Sequence, residues 1–465
     1  MKRILSCLTA LLVILPLCGV EASAFEVHIG GDRLTLHADQ VPLQSILQRL
    51  ADLGIKIRID PQINPKITAF FEDRDIRQGL DSILEPLAHV LIWKSIEGPG
   101  GPIYRLSEIQ VFKAGKKELM KILSIRPGFA IARNPKDGSF FVENEILLGL
   151  GPGMSLSEFK ELLRQIGGTV VDSYAAVGIY KIRLPEGSDI PSLVKQITKH
   201  PKVAKAEPNY AYPLPAPQRQ TASNLNPHDF SGIPASGGDT APIAVFDTGL
   251  STDSGLDDLV PASLDVLNPD EPLSDALGHG TQMALIAAGV VKPYGAGTKS
   301  ETQSPIIPLR VMDDNGFTSN YTIMKSIDFA LKNGARVASL SWGSETRSDF
   351  LESALNYAHS KGLLIVASAG NEPTGEPVYP AAFSSVIGVG ALRPDGKAWE
   401  KSNYGDFVTA YAPGFASLPV GYKGDPGDYA GTSISAAFVA NVISNYLSDH
   451  PDATMEEVLG AMGSR

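Results

Sequence analysis

Four residues of this chain have the types and settings to do chemistry together. Ile243-Ala-Val-Phe246 is a continuous apolar run ending in Asp247-Thr248-Gly249. It reads as a buried strand that delivers a carboxylate at its C-terminal end, the usual place for function in an open α/β sheet. Leu277-Gly-His-Gly-Thr281 sets His279 between two glycines, ahead of a helical stretch from Gln282 to Ala288. Glycines on both sides suit a ring that must be approached closely. Ile365-Val-Ala-Ser-Ala-Gly-Asn371 is a strand ending in an amide. Finally, Tyr429-Ala-Gly-Thr-Ser-Ile-Ser-Ala-Ala-Phe-Val-Ala440 turns at Gly431 and enters a small-residue helix at once. The first turn of that helix offers backbone N–H groups and the positive end of its dipole beside Ser433. Such a place serves a nucleophile whose substrate oxygen becomes negative in the transition state. Each element alone is weak, since many strands end in Asp and a serine at a helix start is more often a cap. Asp, His, Asn and Ser in this order, each in a tight local context, make a strong joint signal for a serine nucleophile with an imidazole base.

The rest of the chain must position these groups. With 465 residues, 43% apolar and 20% charged, it is an ordinary globular composition of two to four domains. A net charge of −11 argues against nucleic acid or an anionic membrane surface as the main partner. Lys2 and Arg3 precede an apolar run from Ile4 to Leu17, and Ala22-Ser23-Ala24 offers a small-x-small cleavage site. Residues 1–24 therefore read as a secretory signal peptide, which predicts export to the periplasm or the extracellular space. Both cysteines, Cys7 and Cys18, lie inside that leader, so the mature chain has no disulfide framework, catalytic thiol or Cys-ligated metal.

Residues 25–110 contain a weak repeat. Leu43, Ile46, Leu47 and Leu50 fall at helical spacing before an alternating strand of Ile55, Ile57 and Ile59. Ile76, Leu80, Ile83 and Leu84 repeat the helix, followed by Val90, Ile92 and Trp93 as a strand. Two helix–strand copies predict a small α+β module. It resembles the short N-terminal domain found ahead of secretins and TonB-dependent receptors. That resemblance implies docking to an envelope protein, and association with a bacterial envelope. Residues 111–138 read as a connector. Residues 139–212 read as βαββαβ, a ferredoxin-like split unit, with a capping box at Ser155-Leu-Ser-Glu158. Residues 213–239, rich in Pro and polar residues, read as a linker where a nick is tolerated.

The motifs from about Pro242 to the C-terminus resemble the subtilase (subtilisin-like serine protease) family, with 32 residues from Asp247 to His279 and 62 from Asn371 to Ser433. The resemblance implies an α/β catalytic domain over 240–465, a three-layer parallel sheet of the subtilisin kind. It implies that Ser433 attacks the scissile carbonyl, His279 is the base and Asp247 orients it. Asn371 and the Ser433 N–H would hold the oxyanion. Ser339-Leu-Ser-Trp-Gly343 and residues 367–370 would pair with an extended polypeptide substrate, with Ser341, Trp342, Gly343, Ala369 and Gly370 in contact. Residues 139–212, with their Ala206-Glu207-Pro208-Asn209-Tyr210 ending, are similar to the inhibitory pro-domain of that family, which implies an intramolecular inhibitor. No cofactor is required. Calcium is frequent in the family, but no Asp cluster assigns a site, and no metal ligand set is expected. The chain departs from the family at Ala437, Phe438, Met283, Leu285 and Phe246, none of them a catalytic group. Trp342, where leucine is usual, is expected to narrow the cleft. An alternative function is an envelope or secretion-assembly protein whose protease-like domain is weak or acts only on itself.

Overall fold

A computed structural model describes residues 25–123, 128–215, 218–219, 240–297, 303–420 and 426–463. The expected signal peptide lies outside these residues, as does most of the 213–239 linker. The chain forms two compact units, Met1–Ile92 with Leu106–Ile125, and Trp93–Arg105 with Arg126–Arg465. The boundary expected at residue 110 therefore differs: residues 93–105 belong with the second unit.

In the first unit, strands Glu26–Gly30 (β1), Arg33–Pro42 (β2) and Lys66–Asp75 (β4) form an antiparallel sheet. Helix Leu43–Asp52 (α1) and strand Lys56–Ile59 (β3) are the first repeat copy. Helix Ile76–Leu84 (α2) and strand Ala88–Gly98 (β5) are the second. Leu43, Ile46, Leu47 and Leu50 are buried, as the helical spacing requires, and Asp75 caps α2 through the Gln78 N–H at 3.1 Å. The two strands differ. Ile55, Ile57 and Ile59 are buried, whereas Val90 and Ile92 are each 37% exposed. The sheet order β5–β6–β3–β7 explains this, with Gly101–Phe112 as β6 and Lys121–Ile122 as β7: β3 is an inner strand and β5 an edge. The expected connector 111–138 is more regular than its composition suggested. It holds a buried Val111 at the end of β6, then β7, and a strand Ile131–Arg133 (β8).

The second unit carries two sheets that matter for the site. The first is built from Phe140–Leu150 (β9), Leu156–Gln165 (α3), Thr169–Tyr174 (β10), Ile179–Arg183 (β11), Ile190–Ile197 (α4) and Val203–Pro213 (β12). This is the βαββαβ order, and the Ser155–Glu158 capping box is formed. Phe159, Leu162, Ile182 and Ile190 make a core on its helical side. After a short strand Gln218–Arg219 (β13), the second sheet is seven-stranded and wholly parallel. Its order is Leu264–Asp265 (β15), Ile306–Arg310 (β16), Ile243–Asp247 (β14), Val337–Leu340 (β18), Leu364–Ser368 (β19), Val386–Leu392 (β20) and Ala410–Pro413 (β21). Side chains of β14 alternate. Ile243 and Val245 pack with helices His279–Ala287 (α5) and Thr432–Asp449 (α8). Ala244 and Phe246 pack with Asn320–Lys332 (α6) and Asp349–Ser360 (α7). Both faces of the sheet are thus covered, which is why β14 and its neighbours are apolar throughout. The arrangement is the three-layer α/β architecture expected.

Phe317–Ser319 (β17) lies just before α6 and joins the two sheets' territories, because β12 pairs with it antiparallel, Tyr212 opposite Thr318. Two further carboxyl-side acceptors of the βαββαβ unit reach α6 and α7. The Asn209 Oδ1 accepts from the Tyr321 N–H at 3.1 Å, and the Glu207 carboxylate accepts from the Asp349 N–H at 3.0 Å and the Ser348 hydroxyl at 2.6 Å. Both helix N-termini therefore have orphan donors satisfied from outside, with a negative charge at the positive end of one dipole. Asn209 is itself held by the buried Glu145 at 2.8 Å, which also pairs with Lys181 at 3.1 Å and Arg183 at 2.7 Å. Burial alone would raise the Glu145 carboxyl, but the two cations and their hydrogen bonds outweigh it and bring it down to about 2.

A carboxyl lowered in the folded state stabilises above its unfolded value and loses that stabilisation as pH falls through the folded one. Glu145→Gln leaves Lys181 and Arg183 without their counter-charge, so it should cost about 3–5 kcal/mol at neutral pH. In urea melts of the precursor, the gap from wild type should shrink as pH falls from the ordinary carboxylate range toward 2. A gap independent of pH would contradict this account of the cluster.

Candidate active site

β14 ends at Asp247, and α5 begins at His279 with Gly278 as its N-cap residue in the left-handed region, φ 80°. His279 Nδ1 lies 2.7 Å from Asp247 Oδ1, and both side chains are almost wholly buried. That carboxylate oxygen also accepts the Thr248 N–H at 2.8 Å. Burial disfavours the imidazolium, but Asp247, through charge and hydrogen bond, and more weakly Asp275, raise the His279 pKa above its ordinary 6.5.

The glycines around His279 have a different reason from the one the sequence suggested. A Cβ on Gly280 would lie 2.4 Å from the Gly249 carbonyl oxygen and 2.7 Å from its nitrogen. Gly249, at φ 117°, would itself place a Cβ 2.0 Å from the Ser274 carbonyl oxygen. The close approach is backbone on backbone, between the loop after β14 and the start of α5, and only glycine permits it.

Helix α8 starts at Thr432, and its N-cap is Gly431 with no side-chain cap of its own. Ser433 is the second helical residue and does not cap the helix. Asn371 does that instead: its Oδ1 accepts from the Thr432 N–H and the Thr432 hydroxyl, each at 2.9 Å. With Oδ1 so held, the amide –NH2 is the end of Asn371 left for the pocket. The Ser433 hydroxyl donates to the Ser341 carbonyl at 3.3 Å. One pocket is lined by His279, Asn371, Gly431 and Ser433, together with Met283 and Pro215. The structure thus brings the four singled-out residues to one place, from four separate segments.

Of the proposed substrate-contact residues, Ser341 meets Ser433, and Trp342 is fully buried against Tyr212 with ring centroids 5.2 Å apart. Trp342 therefore walls a site that an aromatic side chain already fills. The Tyr212 hydroxyl donates to Asn320 Oδ1 at 2.8 Å. Ala369 donates its N–H to Val389, and Gly370 has its N–H on Thr432 Oγ1 and its carbonyl on the Asn403 N–H. Residues 339–340 and 367–368 are inner-strand residues already paired within the sheet, so the pairing expected for them is not open. Extended chain pairs elsewhere. β12 adds to β17, the Leu214 N–H reaches the Gly316 carbonyl at 2.7 Å, and β13 adds to Gly427–Ala430 (β23) with Gln218 opposite Ala430. Pro215 lines the same pocket as His279 and Ser433, and β13 pairs with Tyr429 and Ala430, which line it too.

Met283, Leu285, Phe246 and Phe438 are core residues, and Ala437 is fully buried inside an α8 that runs unbroken for 18 residues. Among the described residues no group of three or more His, Cys, Asp or Glu could hold a metal ion. No helix among the described residues is long and apolar enough to cross a membrane.

Two family patterns match this sequence: the Subtilase family over residues 238–462 and the fervidolysin N-terminal prodomain over 129–209. A thermophilic serine proteinase of Bacillus sp. (strain AK1) is 29% identical over 310 residues, 65% of this chain and 77% of that protein. Thermitase of Thermoactinomyces vulgaris is 32% identical over 209 residues, 44% of this chain and 74% of that protein. The chain belongs to the subtilase family of serine proteases and carries a prodomain of the fervidolysin kind. Among solved structures, that of fervidolysin from Fervidobacterium pennivorans, a keratinolytic enzyme related to subtilisin, has a TM-score of 0.56 at 22% identity. It covers 70% of this chain, and this chain spans 58% of its length. The secretin and TonB resemblance of the first unit finds no counterpart among these matches.

Sequence reading missed Thr248, Asp275 and Thr432, which hold the site without facing it. Asp275, shortly before an apolar helix, had the local signal of an Asx turn or cap. Thr248 and Thr432 had no signal beyond adjacency.

A base must be neutral to take a proton, so the rate on a peptide substrate should fall as pH drops through the raised His279 pKa. The acid limb of kcat/KM should then lie above 6.5. Asp247→Asn should move that limb down and lower kcat by about 10⁴-fold. A limb in Asp247→Asn unchanged from wild type would contradict the pairing.

Proposed function

We propose that this protein is an exported serine endopeptidase, made as a precursor that its own prodomain holds inactive. Ser433 attacks the scissile carbonyl, and its proton passes to His279 and from there to the leaving amine. Asp247 keeps the imidazole in the tautomer with Nδ1–H and stabilises its cation. The Asn371 –NH2 and the Ser433 N–H, the latter at the positive end of α8, receive the oxyanion. Ser341, Trp342, Gly343, Ala369 and Gly370 form the walls of the cleft, and polypeptide enters by adding to β17 and β23. The observation that carries this reading is the convergence of His279, Asn371 and Ser433 on one pocket, with Asp247 on the far side of the ring.

The same pocket receives Pro215, which supports self-inhibition by the segment 212–219. Three peptide bonds join Pro215 to Gln218, and each has a proline on one side. Proline fixes φ and lacks the N–H that extended pairing uses. These bonds make a poor substrate, so the processing cut is assigned to 220–239. The first unit keeps the docking role expected from its resemblance, toward an envelope protein.

Wild type and Ser433→Ala, both expressed without residues 1–24, separate the readings by fragment mass. Cleavage within 220–239 is expected in wild type alone. Equal processing in both, or none in either with no hydrolysis of unfolded casein, would refute the enzyme. Replacing both Pro215 and Pro217 by Ala should bring a cut between residues 215 and 218. Wild type cut there at the same rate would refute the proline guard.

A further inference from the structure

Asp275 stands on the loop ahead of α5, partly buried, and touches neither the pocket nor the reacting atoms. Its two oxygens nevertheless take five hydrogen bonds. Oδ1 accepts from the Thr248 hydroxyl at 2.7 Å, the Gly278 N–H at 2.7 Å and the Leu277 N–H at 3.2 Å. Oδ2 accepts from the Thr281 N–H at 2.8 Å and the Thr281 hydroxyl at 2.7 Å. These partners flank the two residues of the buried pair: Thr248 follows Asp247, while Gly278 and Thr281 bracket His279. Thr248 then closes the ring, since its oxygen accepts the Gly280 N–H at 2.7 Å. Thr281 does likewise, accepting the Ser251 N–H at 2.9 Å.

We propose that Asp275 is a positioning residue for the reaction, a single carboxylate that fixes the loop after Asp247 to the first turn of α5 and so sets the Asp247–His279 contact. The inference rests on reading Asp247, His279 and Ser433 as the reacting set. Backbone close approach between Gly249 and Gly280 brings the two segments together, but it resists only compression. The carboxylate supplies the tension. Its chemistry is specific: five donors converge on it, so an amide, which can accept on one atom only, satisfies at most the Oδ1 half. The charged groups that bear on His279 are Asp247 and Asp275, so loss of the second charge has a signature beyond loss of packing. A shift of about 1 Å in the imidazole is enough to cost on the order of 10²-fold in rate.

The test uses the whole precursor and two readouts. In Ser433→Ala protein, which cannot digest itself, the His279 midpoint is followed by NMR with and without Asp275→Asn. The variant should lower the midpoint and speed exchange of the Nδ1–H. In active enzyme, Asp275→Asn should lower kcat about 10²-fold with KM little changed, and Asp275→Ala should lower it further. Thr248→Val should add little to the loss in Asp275→Asn, because both remove one link. A His279 midpoint, or a kcat, equal to wild type in Asp275→Asn would overturn the proposal. Wild-type protein that hydrolyses no peptide would instead refute the reading of Ser433, and the titration then decides Asp275 by itself.

Discussion

The structure depends on one contact that is expensive to make: a carboxylate and an imidazole, both nearly inaccessible to water, 2.7 Å apart and 32 residues apart in sequence. Burying a charge-bearing pair costs free energy that only good geometry and further hydrogen bonds recover. The geometry comes from a parallel sheet covered on both faces, which fixes the end of β14, and from a helix whose first turn abuts the next residues of that strand. Gly249 and Gly280 allow the backbones to meet. Thr248 N–H and the Thr248 hydroxyl anchor the Asp247 side, and the latter reaches across to Gly280. Ser433 arrives independently, on a long helix whose first N–H is capped by Asn371 and whose body fills the core between α5 and the sheet. The amide that caps this helix is therefore aimed into the pocket by the same bonds that end the helix properly.

One strand organises the relation of prodomain to protease. β12 pairs with β9 inside the βαββαβ unit and with β17 beside α6, so its hydrogen bonds are shared between an inhibitor-like sheet and the rim of the cleft. Glu207 and Asn209, on that strand, serve the N-termini of α7 and α6. Tyr212 fills the space against Trp342, and the chain then runs on to Pro215 in the pocket. Residues 207 to 215 thus bond to two helix N-termini, fill a hydrophobic slot and reach the pocket that Ser433 lines.

Much of this was legible in the sequence where the signal is local. Asp247, His279, Asn371 and Ser433 each sit at an element boundary marked by Gly or by a change of period, and the capping box at Ser155 and the helices at Leu43 and Ile76 follow from spacing alone. What was not legible depends on partners distant in sequence. The burial of Trp342 needs Tyr212, 130 positions away, and the edge position of β5 needs the order of its sheet. The role of Gly280 could be assigned only once Gly249 stood beside it. Of the segments expected to pair with substrate, residues 339–340 and 367–368 are already used by the sheet, because a sequence shows that a segment is a strand and not which of its edges are taken.

The central claim is that Ser433 is a nucleophile made reactive by His279. It is tested most directly by treating the self-processed protein with a fluorophosphonate and locating the adduct by mass spectrometry. One adduct on the peptide carrying Ser433 is expected, and its rate of formation should fall as pH drops through the raised His279 pKa, above 6.5. Labelling of another residue, or labelling of Ser433 at a rate that does not change with pH across that range, would contradict the account.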